Sequence, residues 1–223
     1  MRPDFFITGT DTGVGKSRAS AALLHTLARS GQNAVGMKPV AAGAEPDAQG
    51  VLQNEDALAL RAASTVRVPP ELDNPICLAD ATSPHIAARK AGARIDIGLI
   101  ADRFRELQSL ADAVVVEGAG GFLVPLNETQ TGADLAAALG LPVILVVGLR
   151  LGCLNHALLT RDAVRQRGLA LAGWICNRLD PTMPEQAANL DYLRAQLGAP
   201  LLADWPFNPQ ARPQDLPLRL PAH

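Results

Sequence analysis

The sequence predicts an α/β fold: a doubly wound, mainly parallel sheet flanked by helices, in a single domain. Three observations predict it. Short β-type runs alternate with helical stretches along the 223 residues. The runs Val114-Val115-Val116 and Pro142 to Val147 are apolar throughout instead of alternating, as in strands covered on both faces. A glycine-rich turn, Gly9 to Ser17, joins the first strand to the first helix. Right-handed crossovers then place ligands at the carboxyl ends of the strands.

Taken in order, Phe5 to Thr8 reads as the first strand, and Lys16 to Ser30 as an Ala- and Leu-rich helix stopped by Gly31. Ala34 to Val40 reads as the second strand. Asn54 to Ser64 and Ile97 to Leu110 read as helices. Ala113 to Glu117 is a buried strand running into a glycine-rich turn, Gly118-Ala119-Gly120-Gly121. Gly132 to Leu139 is a short helix, and Pro142 to Val147 the most hydrophobic strand. Asn155 to Arg167 is a helix, Leu171 to Cys176 a strand, Pro184 to Leu197 a helix and Pro200 to Ala203 the last strand. No internal repeat or interdomain linker interrupts this order. The proline-rich stretch after Pro206, residues 206–223, reads as an irregular tail that either wraps the surface or frays.

Composition narrows the class of function. Hydrophobic residues make up 48% and aromatics only 4%, which suits helices on a parallel sheet better than an aromatic-rich sandwich. A net charge of -2 supplies no basic field for nucleic acid or an anionic membrane, so neither is expected as a partner. Cys77, Cys153 and Cys176 are odd in number and show no CxxC pair; a disulfide framework or structural zinc is not expected, and a reducing cytoplasm fits. Met1 to Phe6 does not read as a signal peptide, and the apolar run from Pro142 to Leu149 is too short to span a bilayer.

The turn Gly9-Thr10-Asp11-Thr12-Gly13-Val14-Gly15-Lys16-Ser17 carries the chemistry. The strict phosphate-loop pattern needs Gly where this chain has Thr10, but strand, glycine turn, Gly-Lys-Ser and helix follow in the right order, so the fold reads as P-loop NTPase-like. Backbone N–H groups at a helix N-terminus point at an anion, and the helix dipole favours negative charge. Gly13 and Gly15 let the backbone approach phosphate. Lys16 can reach the β- and γ-phosphates, and the Ser17 hydroxyl can ligate Mg²⁺. A plain glycine turn is the alternative.

Other charged positions carry two readings each. Lys38 sits at the carboxyl end of an apolar run, over the expected ligand crevice; otherwise it is an exposed strand-end lysine. Asp56 is a metal ligand or an acid complementing a helix dipole. Glu117, at the end of the Val-Val-Val strand, is placed like the strand-end carboxylate that holds Mg²⁺ in phosphate-loop proteins, with Gly118 and Gly120 permitting close backbone approach; otherwise the segment is a bare glycine turn. Ser83 reads as a helix cap with Pro84 at the first helical position, and a substrate role is the second reading of His85 beside them. His25, His156 and His223 have no metal-ligand spacing and read as structural.

Together these residues resemble the dethiobiotin synthetase family, from about Phe6 to Pro206. The resemblance rests on Thr8 to Ser17, Lys38-Pro39-Val40, Asn54 to Leu58, Thr82-Ser83-Pro84-His85, Val116 to Gly121 and Leu151 to Ala157. It implies ATP, Mg²⁺, CO₂ and 7,8-diaminononanoate as reactants, with dethiobiotin, ADP and phosphate as products. It implies that Lys16 and Lys38 flank the carbamate and γ-phosphate while Thr12 steadies their oxygens. Ser17, Asp56 and Glu117 would hold the metal. Gly13, Val14 and Gly15, with Gly118, Ala119 and Gly120, would border the nucleotide. Asn177 resembles the adenine-reading Asn, with Arg178 beside it and Pro206 and Phe207 in a base-side loop. Lys38, Ala42, Ser83 and Pro84 would line the substrate site.

The family's members are homodimers, so Gly152, Cys153, Leu154 and Asn155 would offer a helix N-terminus to the substrate carboxylate of the partner chain. Two departures stand out. Gly13 replaces a Glu of some members, and Ala42 replaces a Ser or Thr, so its side chain makes no hydroxyl contact. Three other readings weigh less, one of them a nucleotide-binding module without chemistry, against which Lys16, Lys38 and Glu117 stand. Glutamine-dependent amide-forming relatives carry an extra domain that 223 residues do not accommodate. Partitioning-type ATPases carry a lysine where this chain has Asp11.

Overall fold

Pairing of parallel strands, not any one helix, decides where the ligand crevice lies. A computed structural model describes residues 2–221; Met1, Ala222 and His223 lie outside the described residues, and with them the reading of His223. The chain opens with β1 (Phe5–Gly9), α1 (Lys16–Arg29), β2 (Ala34–Met37) and β3 (Val40–Ala42). A small hairpin, β4 (Glu45–Pro46) and β5 (Leu52–Gln53), leads to α2 (Glu55–Ala63), α3 (Pro70–Asp73), β6 (Ile76–Leu78) and α4 (Pro84–Lys90). Then come α5 (Ile97–Leu110), β7 (Ala113–Gly121), α6 (Gly132–Leu139), β8 (Val143–Leu149) and α7 (Cys153–Gln166). The last elements are β9 (Leu171–Arg178), α8 (Gln186–Gln196) and β10 (Leu201–Trp205).

Six strands form one parallel sheet in the order β10-β9-β8-β1-β7-β2. On one side of β1 the chain places β2 and then β7 between β2 and β1; after β7 it builds outward on the other side through β8, β9 and β10. The reversal falls beside β1, and that is where an open α/β sheet leaves a crevice. The loop after β1 therefore faces the carboxyl ends of β2, β7, β8 and β9.

The unalternating apolar strands are explained by burial on both faces. Along β7, Val114 and Val116 pack with α5 and α6, while Ala113 and Val115 pack with α1 and Leu60 of α2. Along β8, Ile144 and Val146 face the α1 side, and Leu145, Val147 and Leu149 meet α7 and α8 through Cys153, Leu190 and Leu193. Each strand side chain is thus removed from water, a gain of roughly 1.5–3 kcal/mol per large residue relative to exposure.

Several expected boundaries shift for physical reasons. The expected strand from Ala34 to Val40 is two strands, broken at Lys38-Pro39. Proline has no N–H for the ladder, and the Lys38 N–H donates to the Asp73 carbonyl at 2.7 Å instead. Val40–Ala42 then pairs with Ile76–Leu78 in a separate parallel sheet. The expected glycine turn at Gly118 to Gly121 is the second half of β7, with Gly121 opposite Gly9. At Gly118 a Cβ would lie 3.0 Å from the Phe6 ring, a tight fit that favours glycine. The short α3 and β6 carried no periodic signal and were not anticipated.

The helix expected from Asn155 starts at Cys153, with Gly152 as its N-cap at φ 94°. Ser83 occupies the N-cap position of α4, yet its hydroxyl does not cap. It lies 3.0 Å from His85 Nδ1, and the Ser83 carbonyl takes the N–H groups of Ile86 and Ala87.

As far as the described residues reach, the tail wraps the surface. Leu216 is buried against the α1 face, the Trp205 indole N–H donates to the Pro217 carbonyl at 2.8 Å, and the Arg219 N–H donates to Leu202. Among the described residues no helix is long and apolar enough to cross a membrane. Leu216→Ala is expected to lower unfolding free energy by about 2 kcal/mol in urea denaturation, as for a core leucine; a frayed tail would show less than about 0.5 kcal/mol.

Candidate functional site

The loop between β1 and α1 is held in shape by its own polar groups. Thr10 N–H donates to the Val146 carbonyl at 3.0 Å, and the Gly148 N–H reaches Thr10 Oγ1 at 3.3 Å, so Thr10 ties the loop to β8. The Asp11 carboxylate accepts the Thr12 N–H at 2.7 Å and pairs with Arg150 at 2.5 Å. Lys16 Nζ donates to the Asp11 carbonyl at 3.1 Å.

Gly13 and Gly15 have φ of 74° and 94°, a region that L side chains rarely adopt. At Gly15 a Cβ would also lie 2.5 Å from Asn177 Nδ2. Val14 is buried, and its carbonyl accepts from Asn177 Nδ2 at 2.9 Å.

Beneath the loop sits a polar cluster, buried at Lys38 and Glu117 and half-exposed at Asp56. Glu117, in mid-strand on β7, is 0% exposed. Lys38 Nζ donates to Glu117 Oε1 at 2.6 Å and to Asp56 Oδ2 at 2.8 Å. Ser17 Oγ lies 2.5 Å from Asp56 Oδ1 and 2.9 Å from Glu117 Oε1. Asn54 caps α2 by accepting the Asp56 and Ala57 N–H groups, which fixes Asp56 at the helix start.

Lys38 is itself clamped. Its N–H meets the Asp73 carbonyl, and Asn74 Nδ2 donates to its carbonyl at 2.7 Å. The buried Asp73 carboxylate is held in turn by Arg61 of α2, through Nε at 2.6 Å and Nη2 at 2.5 Å.

Electrostatics follow from this packing. Burial pushes the Lys16 ammonium below its usual range, and repulsion by Lys38 adds to that, against partial relief from Glu117, Asp56 and Asp11. An anion over the loop would remove that strain. Burial alone would lower Lys38 too, but attraction to Glu117 and Asp56 outweighs it and holds the group above its usual value. Burial would raise Asp56, yet Lys38 and Ser17 hold it below the ordinary carboxylate range. Lys38 and Asp56 are thus an ion pair at neutral pH.

The oxygens fit a divalent cation. A serine hydroxyl has one proton and donates to one acceptor only. The Ser17 hydroxyl therefore donates to only one of Asp56 Oδ1 and Glu117 Oε1, Lys38 supplies a further proton at Glu117 Oε1, and Glu117 Oε2 is buried with no partner. Among the described residues no group of three or more His, Cys, Asp or Glu forms a closed metal cage. One or two carboxylates, a hydroxyl and oxygens from a bound phosphate are the donor set that Mg²⁺ takes.

Two cavities adjoin at this cluster. One, of about 340 Å³, is lined by Thr12, Gly13, Gly15, Lys16, Ser17, Arg18, Lys38, Asp56 and Gly120. The other, of about 500 Å³, is lined by Thr12, Lys38, Val40, Ala42, Asp56, Ala81, Thr82, Ser83, Pro84, Ala119, Gly120 and Val124. Thr12, Lys38, Asp56 and Gly120 belong to both. The first is mainly cationic, with Lys16, Arg18 and Lys38 on its wall. The second has an apolar wall and a polar end at Lys38 and Asp56.

Of the residues singled out from sequence, Thr12, Gly13, Gly15, Lys16, Ser17, Lys38, Ala42, Asp56, Ser83, Pro84, Ala119 and Gly120 border these cavities, and Glu117 lies directly beneath. Gly118 is buried under the loop and serves strand approach. Arg178 is committed to Asp204 at 2.8 Å and to Gln186, so its guanidinium is not turned to the loop. Pro206 and Phe207 are exposed beyond β10.

Gly152, Cys153, Leu154 and Asn155 line neither cavity of their own chain, and Cys153 is buried in the core under α7. Sequence reading missed Arg150, Arg61, Asp73 and Asn74. Their partners are distant in sequence, and only an isolated charge in an apolar stretch hinted at Arg150.

Residues 4–215 match the AAA domain family. The chain belongs to that family. Solved structures with the same fold include a ParA family ATPase from Chlorobium tepidum TLS, with TM-score 0.58 and 16% identity over 94% of this chain and 86% of that one. The septum site-determining protein MinD complexed with Mg-ADP, from Pyrococcus horikoshii OT3, has TM-score 0.57 and 19% identity, covering 94% and 83%. The cell division protein FtsY from Thermotoga maritima has TM-score 0.52 and 14% identity, covering 95% and 65%. At these identities the likeness is one of fold, and this AAA domain is a P-loop NTPase-type α/β domain.

Gly15→Ala should weaken ADP binding about tenfold or more by isothermal titration, because the left-handed backbone is strained by roughly 1–3 kcal/mol. Adding Asn177→Ala should restore only part of it: the clash goes but the backbone strain stays.

Proposed function

We propose that this domain is a dethiobiotin synthetase, which uses ATP and Mg²⁺ to close 7,8-diaminononanoate and CO₂ into dethiobiotin. One observation carries the reading: a phosphate cleft and an amphipathic acceptor cavity share Lys38, Thr12 and Asp56, so a phosphoryl donor and its acceptor meet at one ammonium. A nucleotide switch needs no second cavity there. An aliphatic chain with a polar reacting end suits the apolar wall of Val40, Ala42, Ala81, Pro84 and Val124 and the polar end at Lys38.

The chemistry then follows the site. One substrate amine adds to CO₂, losing a proton, and gives a carbamate. A carbamate oxygen attacks the γ-phosphorus as the bond to ADP breaks. The second amine attacks the carbonyl carbon of the mixed anhydride, loses a proton and expels phosphate. Lys38 neutralises the carbamate and the transferring phosphoryl oxygens, Lys16 holds the β- and γ-phosphates, and Thr12 orients oxygens from between the cavities. Ser17, Asp56 and Glu117 would hold Mg²⁺, which would supply charge neutralisation to the phosphate oxygens.

Asn177 and the Pro206–Phe207 segment lie on the base side of the loop in this reading, and Arg178 supports them through Asp204. The helix N-terminus at Gly152 to Asn155 offers N–H groups to a carboxylate of a second copy's substrate. Leu151, 93% exposed beside it, and the exposed Leu123 and Leu159 support a dimer that covers this face.

Purified protein should form dethiobiotin from 7,8-diaminononanoate, bicarbonate, ATP and Mg²⁺, read by mass spectrometry alongside phosphate release. Phosphate release indifferent to the diamine would sink the assignment. Lys38→Ala should lower turnover by about 100-fold or more with a native circular dichroism spectrum, as for loss of a charge-stabilising group; full turnover would leave Lys38 without a chemical role.

A further inference from the structure

We infer that the Lys38 ammonium is the resident cation of the seat formed by Ser17, Asp56 and Glu117, and that a divalent ion arriving with nucleotide displaces it towards the acceptor cavity. The inference rests on the reading of those three residues as metal ligands, not on the identity of the acceptor. Lys38 Nζ contacts the same carboxylates, at 2.6 and 2.8 Å, that a Mg²⁺ ion would take. The Ser17 hydroxyl closes the ring at 2.5 and 2.9 Å. An ammonium and a divalent ion at one seat, a few ångströms apart with little water between them, repel strongly, so they exclude one another.

The geometry restricts what moves. The Lys38 peptide is pinned on both sides, N–H to Asp73 and C=O from Asn74, and Pro39 follows it. Only the side chain is free to turn, and Lys38 lines both cavities. Charge explains when it turns. Without nucleotide, Lys38 balances one of the two carboxylates and a displaced ammonium has no anion to meet. With nucleotide, phosphate oxygens receive it. Metal loading and delivery of Lys38 to the reacting oxygens become one event, and free metal binds poorly beforehand.

The test is Mn²⁺ binding to nucleotide-free protein, followed by electron paramagnetic resonance, in wild type, Lys38→Met, Lys38→Gln and Lys38→Arg. Circular dichroism confirms folding of each. Removing the ammonium should tighten Mn²⁺ binding by about tenfold or more in Lys38→Met or Lys38→Gln, while Lys38→Arg stays as weak as wild type. Unchanged or weaker binding in both neutral variants overturns the inference. Should no protein bind Mn²⁺ even with ADP beyond what ADP binds alone, the metal assignment itself falls. Dethiobiotin formation does not enter this measurement, so the failure of either reading is seen separately.

Discussion

Glu117 places a carboxylate with no exposed surface in the middle of an apolar strand, and the Lys38 ammonium 2.6 Å away makes that tolerable. Removing one partner of a buried pair leaves an uncompensated charge, commonly at a cost of about 3–5 kcal/mol. Because Lys38 follows β2, Asp56 opens α2 and Ser17 opens α1, the pair ties four elements to one point. The Lys38-Pro39 break, the separate β3–β6 sheet and the Asp73–Arg61 support all lie behind it. The second cavity is lined by Val40 and Ala42 of β3, which pairs with β6 outside the main sheet.

The backbone around the site is held at several points. The loop is held by Thr10, Asp11 and Asn177, and the Lys38 backbone by Asp73 and Asn74. In the inference drawn above, it is the Lys38 side chain that turns between the two cavities while these backbone contacts hold. That division suits phosphoryl transfer, in which alignment and neutralisation supply most of the catalysis.

Much of the candidate site was legible because its residues stand next to local punctuation. Gly15-Lys16-Ser17 is read from a strand, a turn and a helix in sequence. Asp56 follows a capping Asn, and Glu117 ends an unbroken valine run. Ser83 shows the limit: its type and its place before Pro84 describe a cap, but the hydroxyl turns to His85, a choice made by side-chain geometry. The Arg61–Asp73 and Asp11–Arg150 pairs were invisible because each is long-range, 12 residues apart in one case and 139 in the other.

By itself the sequence determined the α/β class, the phosphate loop and the polar residues at strand ends, because periodicity, glycine conformation and helix starts are local properties. Tertiary structure alone decided that β1 lies between β7 and β8, that the tail is folded onto α1, and that Lys38, Asp56, Glu117 and Ser17 converge on one seat. Those outcomes depend on which strands pair across long separations and on which buried charge finds its counter-ion, and no local pattern encodes either.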